Sequence, residues 1–451
     1  MEPHPRLLHP VGEYQFGRSS FGTILLACAT YYAMAVLAQL NKVAWIRLAL
    51  LPVVLWTSWS IMILEPSGDA TQLQVNTAVS FVAILAMRSI VWTFVRKPLQ
   101  RFPVQVKVPS DTKSRMPTGA WGSQQTNIKQ ALWNACDLCV NLRGIGWSWS
   151  PFCNLKEVTS QGRVNFLFKT AAHVAFYALA VDVATESVHI VAPTTIGRGT
   201  ILDTSLPYPK RLFHAAAAAC IFIVHLYSAM ELIYNVSSFC CVSWLGQDPA
   251  QWPPMFDQPW QSTSLGEFWG RRWHQLFRDC FVSLGSRPFI MLSEKLSSVP
   301  ISVDSNKAKG GRRERQASRN PLPVLGAFFI SGVLHDMGCR SMGNKDPVRI
   351  IGFFMMQAVG VILERILAKR LAHSFRTADG PGLKTEHTLL ARIWVALWLL
   401  LWGIPFVDAW AQAGLLGVRI FPEPLKPLRI VQVVWNMTTA NLVSFLTSRL
   451  G

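Results

Sequence analysis

The chain has 451 residues, of which 51% are hydrophobic and only 15% are charged, and its formal net charge is +18. Water-soluble domains usually contain about 25% charged residues, and their apolar runs rarely reach the roughly 20 residues that a bilayer core requires. The composition therefore excludes an ordinary soluble domain and predicts a polytopic integral membrane protein.

The predicted elements, taken in chain order, are apolar helices. The first twenty residues lack the apolar core of a signal peptide, so we expect the first span to target the chain. We predict an all-α bundle with eight or nine transmembrane helices, forming one membrane-embedded domain over residues 1–451. The candidate spans are residues 21–40, 43–64, 73–95, 165–184, 212–236, 322–336, 349–368, 389–407 and 430–447.

The basic residues lie between the spans and predict the orientation. Residues 96–163, 271–319 and 369–384 are rich in Lys and Arg, which are retained on the cytoplasmic side during insertion. With nine spans, all three segments face the cytosol, the amino terminus is lumenal, and the membrane is that of the endoplasmic reticulum. Residues 305–320 carry many charges and no apolar residue beyond Ala, so we expect a basic, mobile cytosolic loop.

The positive charge does not indicate nucleic-acid binding, because the basic residues are not interleaved with stacking aromatics on one compact domain. They fit contacts with anionic lipid headgroups instead. The nine cysteines are scattered, and the CxxC of Cys136 and Cys139 lacks the second pair that a zinc site would need. We predict reduced thiols and no metal site.

Ionisable groups are rare in membrane spans and mark functional sites there. The sixth span reads PLPVLGAFFISGVLHD and places Ser331, Gly332, His335 and Asp336 together near its end. Gly332 allows close approach of another backbone, and Ser331 lies one turn from His335 on nearly the same face. A histidine in a dry chamber stays largely neutral and can act as a general base. A structural histidine bonded to a neighbouring helix is an equal alternative.

Other ionisable residues within spans favour structural hydrogen bonding. They are Arg88 in the third span and His225 and Glu231 in the fifth.

Residues 260–281, WQSTSLGEFWGRRWHQLFRDCF, predict an amphipathic helix at the membrane surface. Ser264 and Glu267 have capping-box spacing. The helical stripe that would face the apolar side is Trp269, Trp273, Leu276 and Phe277. Arginines occupy the other side, and His274 lies on the border. The spacing alone favours a surface helix without a catalytic role.

Three motifs in order point to a family. FWGRRWHQLFRD, followed later by FFISGVLHD, resembles the wax-synthase-like branch of the membrane-bound O-acyltransferases. The earlier segment NLRGIGWSW, residues 141–149, resembles a third motif of the fungal members of that branch. The likeness covers residues 140–340 and the pattern of spans.

The resemblance implies acyl transfer from an acyl-coenzyme A to a hydroxyl, in a tunnel inside the bundle. The family's histidine matches His335, which implies a general base. Its second polar residue, an asparagine in many members, matches His274, which we expect to donate to or orient the reacting groups. The thiolate of coenzyme A is a good leaving group, so no acyl-enzyme is required. Ser331 as a nucleophile lacks the strained elbow that exposes nucleophilic serines.

Coenzyme A enters from the cytosol, and no other cofactor is expected to be bound. We predict that Arg271, Arg272 and Arg278, together with Trp273, contact the donor, with Arg143 a weaker candidate. These arginines could alternatively anchor lipid headgroups.

The fungal relatives imply acetyl transfer to a hydrophobic terpenoid or meroterpenoid hydroxyl in secondary metabolism. Three alternatives stay open: a wax ester or sterol ester synthase using long acyl donors, a membrane transporter, and a lipid-binding scaffold without turnover. A transporter predicts inverted repeats, and the sequence contains no detectable internal repeat.

Overall fold

The structure is a computed structural model. It describes residues 18–62, 72–102, 127–150, 162–296, 320–343, 346–374 and 385–433, together with residues 435, 436 and 439. The predicted loop at 305–320, except for Asn320, and most of the ninth predicted span lie outside the described residues.

The described residues are almost entirely helical outside their turns, as the composition predicted. The long helices are α1 (Arg18–Leu37), α2 (Ala44–Met62), α3 (Gln72–Thr93), α4 (Ile128–Val140), α5 (Arg163–Val191) and α6 (Tyr208–Ser243). A short segment follows with α7 (Leu265–Glu267), a π-helical turn (Phe268–Arg272), α8 (Arg278–Phe281), a second π-helical turn (Val282–Ser286) and α9 (Arg287–Leu296). The chain continues with α10 (Leu322–Ser341), α11 (Pro347–Ser374) and α12 (Thr385–Gln412).

The all-helical membrane fold is confirmed. Each of the first eight predicted spans coincides with one of these helices, and six helices of the described chain are long and apolar enough to cross a bilayer. Two shorter apolar helices, Gly22–Leu37 and Thr77–Thr93, coincide with the first and third predicted spans. Helix α4 was not predicted. The sixth span is longer than expected, because α10 continues past Asp336 to Ser341.

Helices α5 and α6 form a long pair at one side of the bundle. Helix α6 has 36 residues, which corresponds to a length of about 54 Å. Aromatic side chains are exposed at both of its ends, with Tyr208 71% exposed at the start and Trp244 79% exposed just after the last residue. The first third of α6 packs through small buried residues, Ala215, Ala218 and Ala219, in a cluster that includes Val188 near the end of α5.

Helix α10 is fixed by close backbone crossings. A Cβ at Gly285 would lie 2.3 Å from the carbonyl oxygen of Gly326, and a Cβ at Gly326 would lie 2.6 Å from the carbonyl oxygen of Gly285. Further along α10, a Cβ at Gly332 would lie 3.1 Å from Cα of Ile351 in α11. The predicted close approach at Gly332 is therefore present, and α10 is held between the second π-turn and α11.

The NLRGIGWSW segment folds into a tight turn after α4. Gly144 and Gly146 have φ of +65° and +76°, a backbone conformation that favours glycine. Within the turn, the Asn141 carboxamide bonds both the N–H and the carbonyl of Ile145, and the fully buried Trp147 donates to Asp137 over 2.8 Å. The motif is thus a rigid structural element.

Two buried arginines tie this turn to its neighbours. Arg88 donates to the carbonyls of Leu138 and Cys139 at the end of α4, a structural role like the one predicted. Arg143 donates to the carbonyls of Pro253 and Pro254, each over 2.7 Å. Its guanidinium is occupied by backbone, so it holds the segment that leads into α7 rather than standing free for a phosphate.

Candidate active site

The segment that follows α6 begins as predicted and then departs from a regular helix. Ser264 caps α7 by accepting from the N–H of Glu267 over 3.0 Å, and the Glu267 carboxylate accepts from the N–H of Thr263. The chain then widens into the π-turn and leaves the helix at Trp273, to resume at Arg278. The prediction of one continuous amphipathic helix with a stripe at α-helical spacing was wrong.

The side chains of this segment point into the protein instead of lining a surface stripe. Phe268 and Trp273 stack at 5.4 Å, and both are buried in a cluster with Val361 of α11 and Val395 of α12. Packing against each other and against the two valines removes the apolar surface of both rings from water. The predicted donor contact of Trp273 stays a prediction, but the structure assigns this ring a packing role.

Helix α11 anchors the segment through polar groups. Glu364 accepts from the N–H groups of Leu265 and Gly266, over 2.7 and 3.2 Å, and from the indole N–H of Trp394. About two turns away on the same helix, Gln357 accepts from the indole N–H of Trp269. These bonds fix the orientation of the π-turn relative to α11.

His335 lies within α10, one helical turn past Ser331. Its Nδ1 lies 2.7 Å from the carbonyl oxygen of Ser331. A carbonyl oxygen only accepts, so Nδ1 carries the proton and donates. Nε2 is then the unprotonated nitrogen of the neutral ring, which is the form that a general base needs. Asp336 does not face this nitrogen as a partner, because it forms an ion pair with Arg340 at 2.6 Å.

His274 lies in the break between the π-turn and α8, outside the candidate spans. Its ring contacts Phe256, Trp273 and Phe277 at centroid distances of 6.0, 5.7 and 5.8 Å. Nδ1 is buried without a hydrogen-bond partner among the described residues. Burial and, to a smaller extent, the nearby His335 together lower the pKa of His274 to about 3. This ring is therefore neutral at cellular pH.

The two predicted histidines lie in one aromatic cluster. The His335 ring packs on Phe354 with centroids 4.5 Å apart, and Phe354 contacts Trp269 at 6.3 Å. Trp269 contacts Trp273, which contacts His274. Two imidazoles from motifs far apart in the chain are thus linked through three packed aromatic rings, Phe354, Trp269 and Trp273. We refer to these rings and the two histidines as the aromatic chamber.

The three predicted donor arginines differ in their surroundings. Arg272 is enclosed, with hydrogen bonds to Glu267 and to the carbonyls of Asp257 and Gln258. Arg271 pairs with Asp257 and Glu267, although its side chain is 63% exposed. Arg278 is exposed, and its guanidinium forms no ion pair with the described residues. Of the three, Arg278 is the least committed to structural contacts.

Gln357 and Glu364 were not predicted as site residues, although both lie in the seventh predicted span. A polar side chain within an apolar span is the signal that could have found them, since such groups are costly in a membrane and need partners. Within the described part of the chain, no group of three or more His, Cys, Asp or Glu residues is placed to hold a metal ion.

Residues 252–356 match the model of the membrane bound O-acyl transferase family. This range contains both histidines, the π-turns and the start of α11. The match therefore covers the chamber that the geometry singles out.

Curated fungal proteins are similar over a longer range. The acetyltransferase spyB of Aspergillus fumigatus is 26% identical over 325 residues, which are 67% of this chain and 51% of that protein. The acetyltransferase eriL of Hericium erinaceus is 25% identical over 266 residues, 58% of this chain and 62% of that protein. The O-Mevalon transferase yanI of Aspergillus niger is 26% identical over 250 residues, 52% of this chain and 53% of that protein.

The matched regions thus cover between about half and three-fifths of the length of these relatives. The family match falls on the candidate site, and two of these relatives bear the name acetyltransferase. The predicted resemblance to the membrane-bound O-acyltransferases, and among them to fungal acetyltransferases, is confirmed.

Proposed function

We propose that this protein is a membrane-bound O-acyltransferase that moves an acetyl group from acetyl-coenzyme A to a hydroxyl of a hydrophobic terpenoid or meroterpenoid, with His335 as the general base. The observation that carries the proposal is the hydrogen bond from His335 Nδ1 to the Ser331 carbonyl. It leaves Nε2 unprotonated inside the chamber that the family match covers.

The proposed reaction proceeds without a covalent enzyme intermediate. His335 Nε2 takes the proton of the acceptor hydroxyl as that oxygen attacks the thioester carbonyl carbon. The tetrahedral oxyanion then collapses, the carbon–sulfur bond breaks, and the proton held on Nε2 passes to the departing thiolate. His274, neutral because of its burial, orients the reacting groups or donates to them.

The surroundings of the chamber support a hydrophobic acceptor. The Phe354 ring packs on His335, and further rings continue from His274 through Phe256 to Tyr227 of α6, whose ring lies 4.6 Å from Phe256. A polycyclic apolar acceptor would bury its surface against these rings, and each square ångström removed from water contributes about 25 cal/mol. The acceptor would enter from lipid and the coenzyme from the cytosol, in the membrane of the endoplasmic reticulum.

The test is a microsomal assay of the wild type and His335→Ala with labelled acetyl-coenzyme A or palmitoyl-coenzyme A and a panel of terpenoid, sterol and fatty alcohols. We expect acetyl transfer to a terpenoid, lost in His335→Ala. The matched control is His214→Ala, because His214 also bonds a backbone carbonyl through Nδ1, that of Val191, but lies outside the aromatic chamber. Acetyl transfer unaffected by His335→Ala would refute the assignment of the base.

A second candidate keeps the reaction and changes the donor. One relative is named for the transfer of a mevalonyl-type group, so acetyl is not the only group in the names of these proteins. Transfer from palmitoyl-coenzyme A alone would favour a wax ester or sterol ester synthase. Transfer from neither donor to any acceptor would favour a transporter or a lipid-binding scaffold.

A further inference from the structure

A carboxamide in α11 is buried without partners for its donors. Gln357 is 0% exposed, and its Nε2 has no hydrogen-bond acceptor among the described residues. Leaving a buried donor unpaired is unfavourable, because the group gives up its hydrogen bonds to water and gains none in the protein. A residue that bears this cost in an apolar helix calls for an explanation other than packing, because an aliphatic side chain of the same volume would fill the space without it.

The orientation of this carboxamide is fixed by its neighbour. Gln357 Oε1 lies 3.3 Å from Nε1 of Trp269. An indole nitrogen can only donate, so the carboxamide oxygen must face Trp269 and the two N–H donors must point away from it. The hydrogen bond to Trp269 therefore fixes the orientation of both unpaired N–H groups.

The position of Gln357 brings it to the chamber. Phe354, which packs on the His335 ring at 4.5 Å, precedes it by three residues on α11, so the two side chains project from the same face one turn apart. The carboxamide also joins this face to Trp269, the ring that contacts Phe354 from the π-turn. Gln357 is thus linked to the His335 ring through Trp269, to which it is hydrogen-bonded, and Phe354, which contacts both Trp269 and His335.

We propose that Gln357 Nε2 donates a hydrogen bond to the carbonyl oxygen of the acyl thioester and to the oxyanion that develops there. The inference rests on the proposed acyltransferase function and assigns one more catalytic residue to it. The donor is in place before substrate arrives, so it needs no reorganisation as charge develops, and its strength is greatest where water is excluded. The carbonyl oxygen of the bound substrate would provide the hydrogen-bond acceptor that Gln357 Nε2 lacks among the described residues.

The experiment compares the wild type with Gln357→Met, which keeps the side-chain length and removes both donors. Loss of one preorganised oxyanion donor typically lowers kcat about 100- to 1,000-fold. We expect a loss of this size with the apparent KM for acyl-coenzyme A changed less than about threefold, since the hydrogen bond to the neutral carbonyl is weak and strengthens as the oxyanion develops.

A second measurement does not depend on how much variant folds. Replacing the thioester carbonyl oxygen by sulfur gives a dithioester donor whose sulfur is a poor hydrogen-bond acceptor. The ratio of rates with the oxygen and sulfur donors should therefore be large in the wild type and at least about tenfold smaller in Gln357→Met. An unchanged ratio would overturn the proposal.

Two controls separate the possible roles. Trp269→Phe removes the partner that orients Oε1 but leaves both donors, so the rate ratio should fall by less than in Gln357→Met; a fall as large as that in Gln357→Met would overturn the proposal, because the donors by themselves would then have no effect on the ratio. Gln39→Met changes another buried glutamine, whose Nε2 is already bonded to the carbonyls of Ala35 and Ala131, and should leave the ratio unchanged.

The outcome for this residue is distinguishable from the outcome for the function. If acyl transfer requires His335 but is unaffected by Gln357→Met, the proposed acyltransferase function stands and the proposed role of Gln357 is refuted. A wild type without acyl transfer would remove both.

Discussion

The substitution Gly285→Ala should separate two elements that the chain brings into backbone contact. The added Cβ would lie 2.3 Å from the carbonyl oxygen of Gly326, and comfortable contact begins near 3.4 Å, so the second π-turn and α10 must move apart by about 1.1 Å. The three nearest atoms, the carbonyl oxygen and carbon of Gly326 and the nitrogen of Ala327, all belong to backbone, so a rotamer change cannot relieve the contact.

We expect two effects of this displacement. Overpacking of this kind typically lowers the free energy of unfolding by about 1–3 kcal/mol. Helix α10 also carries His335, and a misplacement of about 1 Å can lower the rate of a positioned reaction about 100-fold. The measurement is chemical unfolding in detergent together with kcat for acetyl transfer.

The matched control is Gly352→Ala in α11. A Cβ at this helical glycine meets nothing within 4 Å. Alanine should therefore be tolerated there, and its higher helix propensity could add up to about 1 kcal/mol. Equal stability and equal kcat in the two variants would refute the close crossing and the argument that it positions His335.

Three further predictions follow from the site. Arg278→Ala should raise the apparent KM for acyl-coenzyme A about tenfold or more with unchanged unfolding, whereas Arg272→Ala should lower the free energy of unfolding by about 1–2 kcal/mol; the reverse pattern would contradict the assignment of Arg278 as the free phosphate contact. The pKa of His274 is about 3 in the folded protein and 6.5 in the unfolded chain, so the unfolded chain binds the proton first and the free energy of unfolding falls as the pH drops from 6.5 towards 3. Between pH 7 and pH 5, the wild type should lose about 2 kcal/mol more of this free energy than His274→Asn. Parallel pH profiles of the two proteins would contradict the burial of this ring. Glu364→Gln keeps one acceptor for the α7 N–H groups and should retain most activity, whereas Glu364→Ala should lower both stability and kcat, as circular dichroism and turnover would show.

The sequence predicted the spans well because a bilayer imposes length and composition directly on each helix. Apolar runs near 20 residues need no information from the rest of the chain, so the helices that carry His335 and Gln357 could be placed before the structure was known. The C-terminal end of α10 could not be placed, because the helix continues past Asp336, whose carboxylate pairs with Arg340 one turn later.

The segment with His274 shows where such reasoning fails. Its stripe assumed α-helical spacing, but the π-turn over Phe268–Arg272 adds a residue to its turn and shifts every later side chain. The distortion is maintained by Glu364 and Gln357, about a hundred residues later in the chain. Periodicity within one segment carries no information about such partners, whereas the motif resemblance identified His274 without predicting its conformation.

The length of α6 has a consequence for the membrane around the protein. Aromatic residues favour the headgroup layers, and the exposed Tyr208 and Trp244 stand about 54 Å apart along the helix. A bilayer with its headgroups is about 40–45 Å thick, so placing both rings in those layers requires a tilt of roughly 35–40° or a local thickening of the lipid. Because α5 packs along α6, the two helices would tilt together, and the lipid around this side of the bundle would have to adapt to the pair as a unit.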